Sequence, residues 1–347
     1  MKDLLKRMIE AKASDLILEA NAPAVLRVNG ELQFEKKVFT AQELAGQLLV
    51  VLTADQKARL EKDRQLDFSH ALPSGERFRM NFHYQKGSLA AAVRAIPKTV
   101  PNRRELNLPI VIEELTKLND GLILVTGPTG SGKTTTQACM VELINQTRAE
   151  HIITIEDPIE YVIENKKSII EQREVGSDAL NFASALRAAL REDPDVILIG
   201  EMRDIETIST AMTAAETGHL IISTLHTANA INAIDRVIDV FPENQQNQIR
   251  SQLSMVLQAV LAQQLIPRID QKGQVVVMEI LKGIPGIRNL IRKGATHEIP
   301  SLIEVSKKHG MQTMENALLD LHKGGKINLE EALIRVPDRE TFKKRLA

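Results

Sequence analysis

The sequence predicts an α/β protein: a mostly parallel sheet with helices on both faces, preceded by a smaller α+β domain. The near-continuous apolar runs "GLILVTG", "HIITIED", "DVILIGE", "HLIISTLHT" and "QVVVMEI" read as strands buried on both faces. Helical stretches lie between these runs, and that alternation argues for a parallel sheet wrapped by helices. Ahead of them, strands with strict two-residue alternation read as a sheet with one face on a core and the other polar.

In chain order, "MKDLLKRMIEAKASD" interleaves charges with Leu and Ile at helical spacing, which predicts an amphipathic helix and no signal peptide. "AVLRVNGELQFE" predicts two strands joined at Asn29-Gly30, a favoured pair for a two-residue hairpin turn. "RFRMNFHY" places Phe78, Met80, Phe82 and Tyr84 on one face and Arg77, Arg79, Asn81 and His83 on the other. Arg94 follows in the strand-like "LAAAVRAI". The prolines and basic residues of "IPKTVPNRRELNLP" then break all periodicity. The expected division is an N-terminal domain at 1–97, a linker at 98–110 with Arg103 and Arg104 in solvent, a core at 111–285 and a helical region at 286–347. "RDIETISTAMTAAETG" reads as a helix closed by Gly218.

The composition narrows the function. The chain has 347 residues, 43% of them hydrophobic, enough for two or three domains with proper cores. Net charge is −1, aromatics are 3% and there is no Trp, which argues against a nucleic-acid partner. The single cysteine, Cys139, excludes an intramolecular disulfide and a cysteine-cluster zinc site, and suits a reducing cytoplasm. No apolar run approaches the ~18–20 residues of a membrane span, so direct membrane insertion is not expected.

Chemistry concentrates at "GLILVTGPTGSGKTTT". Gly127, four intervening residues, Gly132, Lys133 and Thr134 form a phosphate-loop pattern after a strand and before a helix. Gly127, Pro128, Thr129, Gly130, Ser131, Gly132, Lys133, Thr134 and Thr135 are therefore the expected nucleotide-binding residues. The glycines let the backbone amides converge on phosphate, Lys133 reaches the β and γ oxygens, and the Thr134 hydroxyl is placed for Mg2+. Cys139, one turn into the helix, reads as packed.

Acidic residues and histidines stand at later strand ends, where a wound sheet gathers its ligand site. Glu156, Asp157 and Glu160 follow "HIITIED", and Glu160 could address an attacking water. Gly200-Glu201 ends "DVILIGE", where phosphate-loop enzymes usually carry Asp-Glu. His219 and His226 bracket "HLIISTLHT" and are candidates for sensing a γ-phosphate or a neighbouring subunit, the alternative being ordinary polar core groups.

Together "GPTGSGKTTT", "ITIEDPIEY", "LREDPDVILIGEMRD" and "TGHLIISTLHTANAINAIDRVIDVF" resemble the Walker A, Asp box, Walker B and His box of the secretion-superfamily ATPases, the GspE/PilT family. "GIRNLIR" at 286–292 resembles the AIRNLIR signature of its type IV pilus retraction branch, "SDLILE" its SDLHL, and "GMQTMENAL" its C-terminal segment. Ile17 and Ile163 replace histidines common in that branch, and Gly286 replaces Ala. The resemblance implies a RecA-like ATPase core and a PAS-like N-terminal domain. It also makes Gly200 ordinary, because the family's Walker B ends in Gly-Glu. It implies that Glu201, with Thr134, holds Mg2+ and that Glu160 is the favoured general base, although both carboxylates could share one water.

The resemblance further implies a homohexamer with ATP sites between subunits, completed by Arg79 and Arg94, with Arg77 a third candidate and Arg236 a further interface residue. Each nucleotide state would set a different interdomain angle about residues 96–109. The work would be type IV pilus disassembly, at the cytoplasmic side of the inner membrane, through a PilC-like platform protein and a paralogous retraction ATPase. Pilus assembly ATPases usually carry a four-cysteine zinc site, which one cysteine argues against. An accessory PilU-like retraction ATPase, a nucleic-acid translocase and a non-hydrolysing scaffold are the alternatives.

Overall fold

The computed structural model describes residues 1–28, 30–270, 273–336 and 338–346. They form two compact units, Met1–Thr99 with Glu160–Val162, and Val100–Ile159 with the chain from Ile163 on. Most of the segment expected as a linker thus belongs to the second unit. Arg103, expected in solvent, is only 17% exposed: it pairs with Glu113 and donates to the Leu108 carbonyl at 2.7 Å. A partly buried guanidinium needs such partners, so this stretch is anchored structure.

The first unit contains α1 (Lys2–Glu10), β1 (Asp15–Leu18), β2 (Pro23–Val28), β3 (Glu31–Val38), α2 (Ala41–Leu49), α3 (Ala54–Asp63), β4 (Gln65–Ala71), β5 (Arg77–Gln85) and β6 (Ser88–Ile96). The sheet is antiparallel in the order β3-β2-β1-β6-β5-β4. β2 and β3 form the expected hairpin; Gly30 has φ +88°, and Asn29 lies outside the described residues. Thr40 and Thr53 open α2 and α3 with capping boxes. As the alternation predicts, Phe78, Met80 and Phe82 are fully buried, in one core with Leu5, Met8, Leu44, Leu48 and Leu60 of the helices. The register lines up Arg27, Asp15, Arg94 and Arg79 in one row on the sheet's other face.

The second unit contains α4 (Val111–Leu115), β7 (Gly121–Thr126), α5 (Lys133–Thr147), β8 (His151–Glu156), β9 (Ile169–Glu174), α6 (Phe182–Ala189), β10 (Val196–Ile199), α7 (Ile205–Glu216), β11 (Leu220–Leu225), α8 (Ala230–Asp239), α9 (Glu243–Val256), β12 (Leu257–Pro267), β13 (Gln274–Lys282), α10 (Pro285–Lys293), α11 (Ile299–Val305), α12 (Met314–Lys323), α13 (Leu329–Leu333) and α14 (Arg339–Lys344). The strand order is β13-β12-β7-β11-β10-β8-β9. All neighbours are parallel except β12 and β13.

Leu122 and Leu124 of β7 enter a core with α6 to α10, while Ile123 and Val125, facing the other way, are equally buried. Both faces are therefore covered. β12 and β9 add to the strands that apolar runs mark; Gln258, Gln263 and Gln264 interrupt β12, and it follows α9 without a break. The chain after 285 is helical as expected, and α12 to α14 close a core over Ile266, Val275 and Val277.

Candidate functional site

β7 passes into the phosphate loop, and Gly132, with φ +83°, caps the 15-residue α5. Gly127 has φ +147°, and a Cβ there would lie 2.3 Å from the backbone oxygen of Gln263. Only glycine lets the loop curl this tightly against β12. The α5 N-terminus supplies aligned amides and the positive end of the helix dipole, a ready site for phosphate. Lys133 Nζ donates to the carbonyls of Gly127 (2.9 Å) and Pro128 (3.1 Å), so its ammonium lies over the loop. Thr134 and Thr135 are half-buried at the start of α5.

β10 ends two strands away from β7, with β11 between them. Strands lie about 4.8 Å apart, which puts the two strand axes about 10 Å apart. The segment after β10 is held to both neighbours: Gly200 N donates to Ile155 O (2.8 Å), Thr224 Oγ1 to Gly200 O (2.6 Å), and Met202 N to Thr224 O (3.2 Å). These ties flank Glu201 and fix its place at the sheet's carboxyl edge. Glycine suits position 200, since a Cβ would crowd Ile155 O at 3.3 Å and touch the Phe182 ring at 3.5 Å.

Glu201 is 15% exposed and has a basic side chain beside each oxygen. Arg203 Nε lies 2.7 Å from Oε1, and His226 Nε2 lies 3.5 Å from Oε2. The structure thus brings two predicted residues, Glu201 and His226, directly together and adds a third, Arg203, on the other oxygen of Glu201. Arg203 stands two positions along in the quoted "GEMRD"; the spacing is visible but the pairing is not. The next residue, Asp204, is a helix cap, its carboxylate accepting from Thr207 N at 2.8 Å.

Other candidates separate. Glu156 is buried and accepts from Thr154 Oγ1 (2.7 Å) and Gln172 Nε2 (3.2 Å), so it ties β8 to β9. Asp157 and Glu160 are exposed, and Glu160 falls in the compact unit of residues 1–99. His219 immediately precedes β11, at the sheet edge opposite this chain's own phosphate loop, so of its two expected roles it is placed only for the one at a neighbouring subunit. Its Nδ1 lies 2.9 Å from Ala214 O and 3.2 Å from Thr217 Oγ1, at the C-terminus of α7. Arg236 is exposed on α8. In the first unit Arg79 and Arg94 are cross-strand partners, both exposed; Arg94 Nε donates to Asp15 at 2.9 Å, and Arg77 is half-buried. Cys139 is buried, and loss of solvent pushes its thiol up to about 11, so it is packed and unreactive at neutral pH.

Among the described residues no cluster of three His, Cys, Asp or Glu forms a metal cage. One hydroxyl, Thr134, and one carboxylate, Glu201, are hard oxygen donors of the kind Mg2+ accepts when phosphate and water complete its shell. The residues present fit that ion.

Residues 1–316 match the family described as "Type II/IV secretion system protein". The chain is 44% identical over 319 residues to the "Twitching motility protein" of Neisseria gonorrhoeae, covering 92% of this chain and 85% of that protein. It is 43% identical over 341 residues to the "Type IV pilus retractation ATPase PilT" of Pseudomonas aeruginosa, covering 98% and 99%. A crystal structure of the pilus retraction motor PilT with bound ADP superposes with a TM-score of 0.92 at 47% identity, covering 99% of this chain and 98% of the other.

Proposed function

Because the chain belongs to the Type II/IV secretion system protein family, we propose that it is an ATP hydrolase whose turnover powers type IV pilus retraction, the motion behind twitching motility. The observation that carries the catalytic part is the phosphate loop and Glu201 at one sheet edge with a single strand between them. End-to-end similarity to the twitching motility and retraction proteins supports the biological part. No helix of the described residues is long and apolar enough to cross a membrane. We place the protein on the cytoplasmic side of the inner membrane, acting through a platform protein at the pilus base.

The loop amides and the α5 dipole bind the phosphates, and Lys133 exchanges its loop carbonyls for β and γ oxygens. Thr134 and Glu201 would hold Mg2+, which would supply positive charge at the phosphates. Water attacks the γ-phosphorus in line with the leaving ADP oxygen, and a carboxylate takes its proton. Glu160 is the favoured base, with Glu201 orienting the water. Arg203 pairs with one oxygen of Glu201 and His226 stands near the other, so both side chains limit how far this carboxylate can turn. Arg79 and Arg94 act in trans on the γ-phosphate of the next subunit of a homohexamer, with Arg77 and Arg236 along the same interface.

ATP turnover per chain, measured against protein concentration for the wild type and Arg79→Ala, tests this reading. We expect a steep rise with concentration and a loss of about 10³-fold or more in the variant, the size of an arginine supplied in trans. Turnover independent of concentration, or unaffected by the substitution, would mean a site complete within one chain.

A further inference from the structure

β12 runs beside β7 and directly beneath the phosphate loop, and we propose that its Gln263 is a positioning residue that aims the loop's anion-binding amides. The side chain is fully buried. Its Nε2 donates to the Ser131 carbonyl at 2.6 Å, and its Oε1 accepts from Thr136 Oγ1 at 2.9 Å. The backbone oxygen of the same residue is what a Cβ at Gly127 would strike, and its Nε2 lies 3.4 Å from where a Cβ at Gly132 would stand. One glutamine therefore touches the loop at its beginning and at its end.

The peptide between Ser131 and Gly132 gives these contacts a direction. A trans peptide is planar, with its C=O and the following N–H pointing opposite ways. Drawing the Ser131 carbonyl down onto Gln263 turns the Gly132 N–H away from β12, toward the open side of the loop where a phosphate binds. The Ser131 carbonyl can only accept, so it sets which end of the amide faces it; the Thr136 hydroxyl, able to donate or accept, then donates to the Oε1 that remains. Thr136 is itself held one turn into α5, its N–H donating to Gly132 O at 3.0 Å. A methionine at 263 would fill the space but leave the Ser131 carbonyl without this donor, free to rotate and to carry the Gly132 N–H with it. The loop's geometry is thus set by a residue 132 positions along the chain from Ser131, outside the loop's own motif.

The proposal rests on the loop being the nucleotide site, and equilibrium binding of ADP to the full chain separates the two. Wild type that binds no ADP overturns the nucleotide reading and this role with it. With binding in hand, Gln263→Met should weaken ADP about tenfold, the loss expected for one buried hydrogen bond that shapes a charged site. Gln263→Glu should weaken it at alkaline pH and recover toward wild type, at matched pH, as acid restores an O–H donor for Ser131. A lower urea midpoint with unchanged ADP affinity in the folded protein, or no pH-dependent recovery in Gln263→Glu, overturns the role. If Gln263→Met does not fold, the pH profile of Gln263→Glu decides alone.

Discussion

At Gly127 the chain has no tolerance for a side chain: φ is +147° and the nearest atom to a Cβ is a backbone oxygen, which cannot rotate away. Gly127→Ala should cost about 1–3 kcal/mol in urea unfolding and remove measurable ADP binding, because strain and a displaced loop act together. Gly200 is a milder case, crowded by Ile155 O and Phe182 and in no left-handed strain. It continues β10 where Asp would need room. Glu279, a largely desolvated carboxylate on β13, receives the backbone amides of Ala230 and Met314, the first residues of α8 and α12. Burial holds its carboxyl above the ordinary 4.5, and the two amides pull it the other way without prevailing. Protonation of Glu279 therefore favours the folded chain. That contribution is fully present below 4.5 and is lost as pH rises through the raised folded value. Glu279→Gln keeps an acceptor and removes the titration. Urea midpoints from about pH 4 to 8 should show wild type losing stability relative to the variant as pH climbs. A parallel pair of curves would contradict the buried-carboxyl assignment.

Among the elements, α10 shows how a recognised motif divides between packing and surface. Ile287 and Ile291 are buried, and Arg288 is turned inward, donating to Gly283 O at 2.6 Å and to Met255 O, with Gln258 Oε1 at 3.3 Å. Arg292 and Lys293 remain exposed. Arg288→Ala should destabilise the protein by about 1–3 kcal/mol in chemical denaturation, since the half-buried Gly283 carbonyl loses a charged donor. An unchanged midpoint would return Arg288 to the surface. β12 teaches the opposite lesson. Its glutamines hide it from a search for apolar runs, yet Gln258 and Gln263 are used inside the fold, one on Arg288 and one on the phosphate loop. Polar residues in a buried strand signal partners on neighbouring elements, and periodicity cannot name those partners. His219 and His226 make the same point along β11, bracketing one strand yet serving opposite edges of the sheet.

For the whole molecule, the first unit has its own core, closed by α1, α2 and α3 over β5 and its neighbours. A fragment of residues 1–99 should fold alone, with a single cooperative urea transition. Arg79→Ala and Arg94→Ala in it should shift stability by no more than about 0.5 kcal/mol, as exposed residues do. A large shift would make these arginines structural and weaken their assignment to a neighbouring subunit's nucleotide. The sequence by itself determined the α/β class, the phosphate loop, the buried face of β5 and the polar row opposite it. These follow from local periodicity and from backbone freedom at a few glycines, which neighbouring residues carry between them. It could not show that Arg203 and His226 grip Glu201, that His219 serves a helix end, or that Gln263 holds the Ser131 carbonyl. Arg203 and His219 meet partners a few positions away, but spacing does not say which way their side chains turn; His226 meets Glu201, and Gln263 meets Ser131, only because the strand order β12-β7-β11-β10 sets those strand ends side by side.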